Sequence, residues 1–369
     1  MKLIYSGFDT LTYAIKGAAE PSSLQRMKLS QEKAKDEQRD IPISFAEGSL
    51  KGLIAPTGMK GGYAYILKFG GEIGHVISLK KSLSRDDWNA HVKIRALSLA
   101  AYGWEEAMMH VQANLIHIGF RGTQISLNRI DYAMDFLNTG IEPNPRHFVA
   151  HSRVKKSAHK LDINSNSRGQ TYESVTVGKM PNRQIIFYDK RAEAIERRKP
   201  AWFEIWGLDP RDVTQSVHRI EIRLGKNELL NWDIRTLDDM KTRLNAAMTR
   251  ATHVVRYVRA TPNDQNISRW PNHPLWGHVQ LHVRDHVLSH NNKVDIARVK
   301  HVIKEQKAQE RIKLVIGNMA GLSVFQDMNP DRIKEDVLEF IDTQFRQIEA
   351  NPEHPFWKSR AKTQDRFVF

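Results

Sequence analysis

Alternation of apolar and charged residues with a period of two is the feature that most constrains the fold of this chain. Two runs, 127–136 and 218–224, place apolar side chains on one face of a strand and charged side chains on the other. The charged members are Arg129, Asp131 and Asp135 in the first run and Arg219, Glu221 and Arg223 in the second. Each run therefore predicts a strand that buries one side only.

The charged faces suggest phosphate and metal chemistry. Carboxylates suit a hard divalent cation such as Mg²⁺ or Mn²⁺, and arginines suit phosphate oxygens. The alternative is a pair of amphipathic strands with solvated ion pairs, which is the usual meaning of alternating charge.

A third segment, 183–191, ends a short apolar run with a tyrosine. Residues 185–187 are Ile-Ile-Phe, Tyr188 follows, and a basic helix-forming stretch occupies 190–199. A tyrosine hydroxyl beside fixed cations can attack a phosphodiester and hold the broken strand covalently. The alternative is that Tyr188 is a packing residue at a strand end.

In chain order, the three segments read R-x-D-x-x-x-D, then a strand ending Y-D-K with Glu193 soon after, then R-x-E-x-R. This order resembles the Rep_trans family, the rolling-circle replication initiators of plasmids and filamentous phages, which are related to some conjugative relaxases. The resemblance covers roughly residues 1 to 245 and extends loosely to the opening strand around 4–13.

The resemblance implies an enzyme that nicks one strand of origin DNA and stays attached through a 5′-phosphotyrosine. It makes Tyr188 the nucleophile and Asp131 and Glu221 the leading ligands of Mg²⁺ or Mn²⁺. We assign Lys190 to the catalytic site as a phosphate clamp, together with Arg219 and Arg223. The DNA contacts that we assign are Arg129, Arg183, Arg191, Arg219 and Arg223. The partners implied are single-stranded or hairpin origin DNA and a host helicase and polymerase, in the cytoplasm of a bacterial host.

Asp135 matches the family motif, but strand geometry limits its role. Two same-face positions four residues apart lie roughly 13 Å from each other at about 3.3 Å per residue. Asp131 and Asp135 cannot both bind one ion unless the strand is bulged between them. Asp135 is therefore the third-ranked metal ligand, and orienting a basic side chain is its other expected role.

The net charge agrees with a nucleic-acid partner. The chain has 56 Lys and Arg against 42 Asp and Glu, a formal charge of +14. Such an excess favours polyanions through counterion release, although it also occurs in other classes of basic protein. Basic blocks at 153–160 and 190–199 flank the tyrosine segment, and we expect them to line a strand-binding groove or a solvated face.

Several classes of site are disfavoured by the sequence. There are no cysteines, which excludes disulfides and thiolate metal sites. No apolar run reaches the length of a membrane span, and Asp9 interrupts the place of a signal-peptide apolar stretch. Four histidines, His278, His282, His286 and His290, recur at helical spacing beside an apolar stripe, so a helix edge decorated with histidines is favoured over a zinc site.

The predicted architecture is α+β, a mainly antiparallel sheet with flanking helices of the nicking-endonuclease kind, followed by an all-helical C-terminal region. We divide the chain into a nicking and DNA-binding domain, 1–235, and a helical domain, 236–369, for origin recognition, dimerisation or partner binding. A polar loop is predicted over 161–171. Helices are predicted from 237 to about 259, over about 275–290, over 295–317, either continuous or broken once, and over 330–350.

Three alternatives remain for function. A conjugative relaxase of the same fold shares every motif named above. A non-catalytic origin-binding regulator would bind DNA without cutting it. A conventional metal nuclease would cut DNA and leave no protein attached to the ends.

Overall fold

The computed structural model describes residues 1–150, 163–168, 171–261, 263–289 and 294–366. The basic block at 153–160 lies outside the described residues. The strands are β1 Lys2–Ala19, β2 Ile41–Phe45, β3 Leu50–Ile54, β4 Tyr65–Phe69, β5 His75–Leu79, β6 Trp88–Ile94, β7 Phe120–Leu137, β8 Phe148–Ala150, β9 Ile163–Arg168, β10 Thr171–Gly178, β11 Arg183–Asp189, β12 Val217–Gly225 and β13 Val255–Tyr257.

Within the described ranges, eleven strands form one antiparallel sheet in the order β2-β3-β4-β5-β6-β1-β7-β12-β11-β10-β9. The two longest strands, β1 and β7, lie side by side at its centre. A separate two-stranded ribbon pairs β8 with β13. The runs that alternate in the sequence are thus adjacent strands of one half of the sheet.

The helices are α1 Pro21–Asp36, α2 Ala96–His117, α3 Lys190–Glu196, α4 Ala201–Trp206, α5 Lys226–Asn231, α6 Leu237–Val254, α7 Pro274–His286, α8 Ile296–Phe325, α9 Ile333–Glu349 and α10 Pro355–Arg366. The predicted α+β class, with a large antiparallel sheet, flanking helices and a helical C-terminal region, is confirmed. Among the described residues, none of these helices has both the length and the apolar character needed to cross a bilayer.

Two hydrophobic cores form on opposite faces of the sheet. The apolar residues of β7, β11 and β12 fill the first core together with α2, α6 and α7, as Tyr132, Phe187, Ile220, Leu244 and Trp276 illustrate. The second core lies on the charged face and brings α4 and α8 against it through Trp202, Trp206, Val299 and Ile303. Helices after residue 235 therefore pack on both sides of the sheet, and the functional division at that point stays a prediction.

Four local predictions need correction. The predicted loop over 161–171 is wrong for 163–168, which form β9 and pair with β10. Helix α6 ends at Val254 because the chain then enters β13 and pairs with β8, and α7 ends at His286. Helix α8 continues unbroken past residue 317 to Phe325. Helix α10 was not predicted, and it packs near β2 and β3 at the sheet edge.

Candidate metal and tyrosine site

Strand register gathers the charged residues and the tyrosine on one face of the sheet. Residues directly opposite each other in antiparallel strands point to the same face. Three successive cross-strand rows run over β11, β12 and β7: Tyr188, Arg219 and Asp135; Ile186, Glu221 and Ala133; Gln184, Arg223 and Asp131. The predicted alternation is therefore correct, and three strands present one polar surface.

Three carboxylates converge on this surface. Oxygens of Asp9, Asp131 and Glu221 all lie within 4.8 Å of one another. Asp131 and Glu221 are the two leading ligands from the sequence, and the structure brings them together. Asp135 is not a member of this cluster among the described residues, since β7 runs past β12 without the bulge that a shared ion would need.

Asp9 reaches the cluster because of a bulge in β1. Phe8 pairs with Tyr132 and Thr10 pairs with Asp131, so Asp9 is an extra residue between two consecutive positions of β7. Sequence reasoning missed Asp9 as a ligand. The available signal was the one acidic residue of the opening strand, placed between Phe8 and Leu11.

Two carboxyl groups of the cluster, those of Glu221 and Asp131, have raised pKa values. Burial, together with the nearby Asp9, raises the pKa of Glu221 to about 7, while Arg223 opposes the shift. Burial also raises the pKa of Asp131, against the effect of its hydrogen bonds from Arg129. Like charges that gather out of water in this way are relieved by protons or by a cation.

The buried Arg219 holds two carboxylates, those of Asp135 and Asp9, in position. It has no exposed surface, donates to both oxygens of Asp135 at 2.6 and 2.8 Å, and donates to Asp9 Oδ1 at 2.6 Å. Trp206 Nε1 donates to the same Asp135 carboxylate at 2.8 Å, and the Arg219 guanidinium lies 4.2 Å from the centroid of a Trp202 ring. Asp135 therefore orients a basic side chain, and Arg219 in turn positions Asp9.

Tyr188 is the penultimate residue of β11, two residues before α3 begins. The Asp189 side chain accepts from Ala192 N at 2.8 Å and caps α3, which turns the chain immediately after the tyrosine. Burial raises the pKa of Tyr188 well above its ordinary value, Arg219 opposes this, and Glu221 and Asp9 add to it. The phenol is therefore within electrostatic reach of the carboxylate cluster and protonated at neutral pH in the metal-free protein.

Lys190 lies beside the tyrosine in a small buried charge network. Its Nζ is 5.7 Å from the Tyr188 ring centroid and donates to Glu193 at 2.6 Å, and Lys199 donates to the other Glu193 oxygen at 2.7 Å. Burial and the nearby Arg219 lower the pKa of Lys190 to about 8. Although burial raises the pKa of Glu193, the two lysines outweigh it and lower this pKa to about 2.

The other arginines divide between the two faces. Arg129 and Arg223 lie on the charged face with about a third and a quarter of their side chains exposed, and they pair with Asp131 and Glu221. Arg183 and Tyr188 lie an odd number of residues apart in β11, so Arg183 points to the other face of the sheet, as Ile185 does. It pairs there with Glu228 at 2.8 Å. Arg191 donates to the carbonyls of residues 210 and 212. Of the five predicted DNA contacts, only Arg129 and Arg223 are both exposed and beside the cluster.

The residues present fit a hard divalent cation. The donors are three carboxylates, the ligand type that Mg²⁺ and Mn²⁺ prefer. Two of the three are buried, and their raised pKa values show that the site gains from added positive charge. The ligands that would hold the ion are Asp9, Asp131 and Glu221.

No protein-family model matches this chain, and no curated protein matches it. Among solved structures, the chain is similar to a rolling circle replication initiator protein from Geobacillus stearothermophilus, with 15 % identity and a TM-score of 0.40. The match covers 77 % of this chain and 98 % of that chain. A similarity of this size carries no argument about fold or activity, so the functional conclusion depends on the site alone.

Proposed function

We propose that this protein is a rolling-circle replication initiator that nicks and rejoins single-stranded or hairpin origin DNA through Tyr188. One observation carries the proposal: Tyr188 shares a sheet face with three clustered carboxylates and is linked to them by the register through Arg219. A tyrosine that served only to pack the core would need neither the carboxylate cluster nor Arg219 beside it.

In the proposed reaction, the Tyr188 oxygen bonds to phosphorus while the bond from phosphorus to the 3′ oxygen breaks. The product is a 5′-phosphotyrosine and a free 3′-OH, and the reverse attack rejoins the strand. A cation held by Asp9, Asp131 and Glu221 would supply positive charge to the attacked phosphate and its neighbours. Arg129 and Arg223 bind the flanking phosphates at the exposed rim.

The phenol must lose its proton, and the 3′ oxygen must gain one. We assign this exchange to Lys190, since burial brings its pKa to about 8 and makes the neutral amine accessible near neutral pH. Lys190 lies against the Tyr188 ring and is held by Glu193. The buried Arg219 stabilises the phenolate and keeps Asp9 in place.

An adduct experiment tests the proposal. The full chain is incubated with 5′-labelled and 3′-labelled single-stranded origin candidates and Mn²⁺, then denatured and separated by size. We expect a denaturation-resistant protein–DNA species carrying the 3′ label. Cutting with no attached protein would identify a conventional metal nuclease, and binding without cutting would identify a regulator.

Replacing the nucleophile sharpens the test. Tyr188→Phe should abolish the adduct while DNA affinity stays within about twofold, a change below about 0.4 kcal/mol. Tyr172→Phe, which alters a half-buried tyrosine on the neighbouring strand β10, is the matched control and should form the adduct normally. Equal adduct yield from Tyr188→Phe would remove Tyr188 from the mechanism.

Initiation and conjugative relaxation use the same chemistry, and the choice between them concerns the partners. We propose initiation, in which a host helicase and polymerase join and the free 3′-OH primes synthesis. The genes next to this one, replication or phage coat genes rather than transfer genes, provide the simplest check.

A further inference from the structure

Three histidines lie along one edge of α7. His278, His282 and His286 are each four residues apart, a spacing that places neighbours on one face of a helix. The rings of His282 and His286 have their centroids 5.2 Å apart. An imidazole nitrogen lies about 2.0–2.1 Å from a bound Zn²⁺, so rings at this separation can both reach one ion. His290, the fourth histidine of the sequence pattern, lies outside the described residues.

A buried tyrosine fixes the orientation of His282. Tyr132 of β7 has no exposed surface, and its hydroxyl lies 3.0 Å from Nε2 of His282. The same hydroxyl donates to the main-chain oxygen of His286 at 3.4 Å. Since the hydroxyl has one proton, Nε2 of His282 carries the hydrogen of the shorter bond, and Nδ1 keeps a free lone pair. Metal-binding histidines have this arrangement, in which a further group holds the ring nitrogen that does not bind the ion.

A cavity of about 210 Å³ lies beside these rings. The three histidines line it together with Leu3 of β1 and Phe136 of β7. A water molecule takes up about 30 Å³, so the space holds an ion and the waters that complete its coordination. The structure therefore adds a positioned ring and a cavity to the histidine spacing that the sequence shows.

The position at the end of α7 favours a cation. His286 is the last residue of α7, and the unpaired carbonyl groups of a final helical turn carry a partial negative charge. Burial, together with the neighbouring His286, lowers the pKa of His282 to about 4, although Asp285 opposes the shift. His282 is therefore neutral at neutral pH, and a metal does not have to displace a proton from it.

We propose that His282 and His286 form a metal site, separate from the carboxylate cluster, that binds a borderline divalent cation of the Zn²⁺ class. Imidazole nitrogens suit Zn²⁺, Ni²⁺ and Cu²⁺, whereas carboxylates suit Mg²⁺ and Mn²⁺. The ion joins two residues one turn apart and stabilises the end of α7. Tyr132 and Asp131 are consecutive in β7 and point to opposite faces of the sheet, so this inference does not rest on the proposed nicking activity.

Calorimetric titration with Zn²⁺ tests the site. The full chain carries Glu221→Gln, which removes a ligand of the carboxylate cluster, so that zinc bound there does not mask the histidines. We expect one Zn²⁺ per chain with a Kd below about 10 µM. Adding His286→Ala should weaken binding about tenfold or more, and the exposure of His286 means that the core stays intact.

His301→Ala is the matched control for this titration. His301 also lies on a helix and also has a possible ligand four residues away, Glu305, at 3.2 Å. Its replacement should leave zinc affinity unchanged. No binding up to about 100 µM Zn²⁺, or equal affinity with and without His286→Ala, would overturn the proposal.

Electron paramagnetic resonance identifies the ligands. One equivalent of Cu²⁺ on the Glu221→Gln protein should give a spectrum with coupling to two imidazole nitrogens, and His286→Ala should reduce this to one. A spectrum typical of oxygen ligands alone would overturn the proposal.

Tyr132→Phe tests the positioning role of the hydroxyl. The variant keeps the ring and should weaken Zn²⁺ binding about tenfold, because His282 loses the bond that sets its tautomer. Urea denaturation in EDTA measures any general loss of stability separately. Unchanged zinc affinity in this variant would contradict the role assigned to Tyr132.

Discussion

Glu221 illustrates at the scale of single residues how this site is prepared for a cation. Its carboxylate is buried beside two other acids, and its pKa is raised from 4.5 to about 7. The folded protein therefore holds this proton more tightly than the unfolded chain does. The resulting stability is complete below about pH 4.5 and is lost as the pH rises through about 7.

We predict that Glu221→Gln removes this pH dependence. In EDTA at pH 8 the variant should be more stable than the parent by up to about 3 kcal/mol, at about 1.4 kcal/mol per pKa unit. At pH 5 the two proteins should be nearly equal, because Glu221 is then protonated. Urea denaturation at both pH values measures the difference.

The same substitution should remove the response to metal. Mn²⁺ should raise the melting temperature of the parent at pH 8 and much less at pH 6, where protons compete for the carboxylates. Glu221→Gln should show little Mn²⁺ stabilisation at either pH. A parent protein whose stability in EDTA is constant from pH 5 to 8 would contradict the assigned environment of Glu221.

Single residues also mark where sequence reasoning succeeds. The sequence predicted the faces of Asp131 and Glu221 because their strands alternate cleanly, and alternation specifies the face of every side chain. Tyr188 was singled out because it follows a short apolar run, and the roles of all three residues stay predictions. Asp9, Trp202 and Trp206 were not found. The position of Asp9 depends on the bulge in β1. The tryptophans belong to the short helix α4, and the local sequence does not predict that this helix packs on the sheet.

At the scale of elements, the hairpin of β10 and β11 controls the position of Tyr188. Gly178 ends β10 with φ +94°, and a Cβ there would lie 2.2 Å from the carbonyl oxygen of Arg183, the first residue of β11. Only glycine allows the two strands to approach this closely. The register of Tyr188 opposite Arg219 depends on that approach.

We predict that Gly178→Ala destabilises the protein by about 3 kcal/mol and displaces β11. Gly140→Ala is the matched control: its φ is +70°, but a Cβ there meets nothing within 4 Å, so it should cost about 1 kcal/mol. Chemical denaturation gives both values. Equal costs for the two variants would show that the close contact at Gly178 is unimportant.

Elements also show where prediction from sequence ends. The antiparallel strands and the amphipathic α6 follow from local periodicity. The boundaries of β9 and α10 do not, since β9 is polar and becomes a strand by pairing with β10. The packing of α8 across α4 depends on contacts between residues about a hundred positions apart, such as Arg298 with Glu204 at 2.8 Å.

For the whole molecule, the net charge of +14 favours DNA in general, whereas contact at the site depends on which face of the sheet a basic residue occupies. Arg129 and Arg183 are both paired arginines, but they lie on opposite faces of the sheet. In the proposed reaction, a DNA strand that reaches Tyr188 would pass the face of Arg129. Substitutions of Arg129 and Arg183 remove the same charge, so a comparison of the two distinguishes general attraction of DNA from contact at the site.

We predict that Arg129→Gln changes the salt dependence of single-stranded DNA binding. The slope of log K against log salt should become shallower by about 0.7, the value for one lost phosphate contact. Arg183→Gln, the control on the opposite face, should leave the slope unchanged. Titrations in EDTA, which prevents cutting, measure both; equal slopes for Arg129→Gln and the parent would place the strand elsewhere.

The sequence by itself determined the antiparallel α+β class and the face on which each charged residue of β7 and β12 lies. These properties are local, because a side chain in a strand points according to its parity. Only the tertiary structure decided which charges share a site. The β1 bulge places Asp9 in the cluster, and α4 packs its tryptophans against the pair of Asp135 and Arg219. Arg183 and Tyr188 lie on opposite faces of the sheet. The sequence alone does not decide these positions, because strand order and bulges depend on pairing between distant segments.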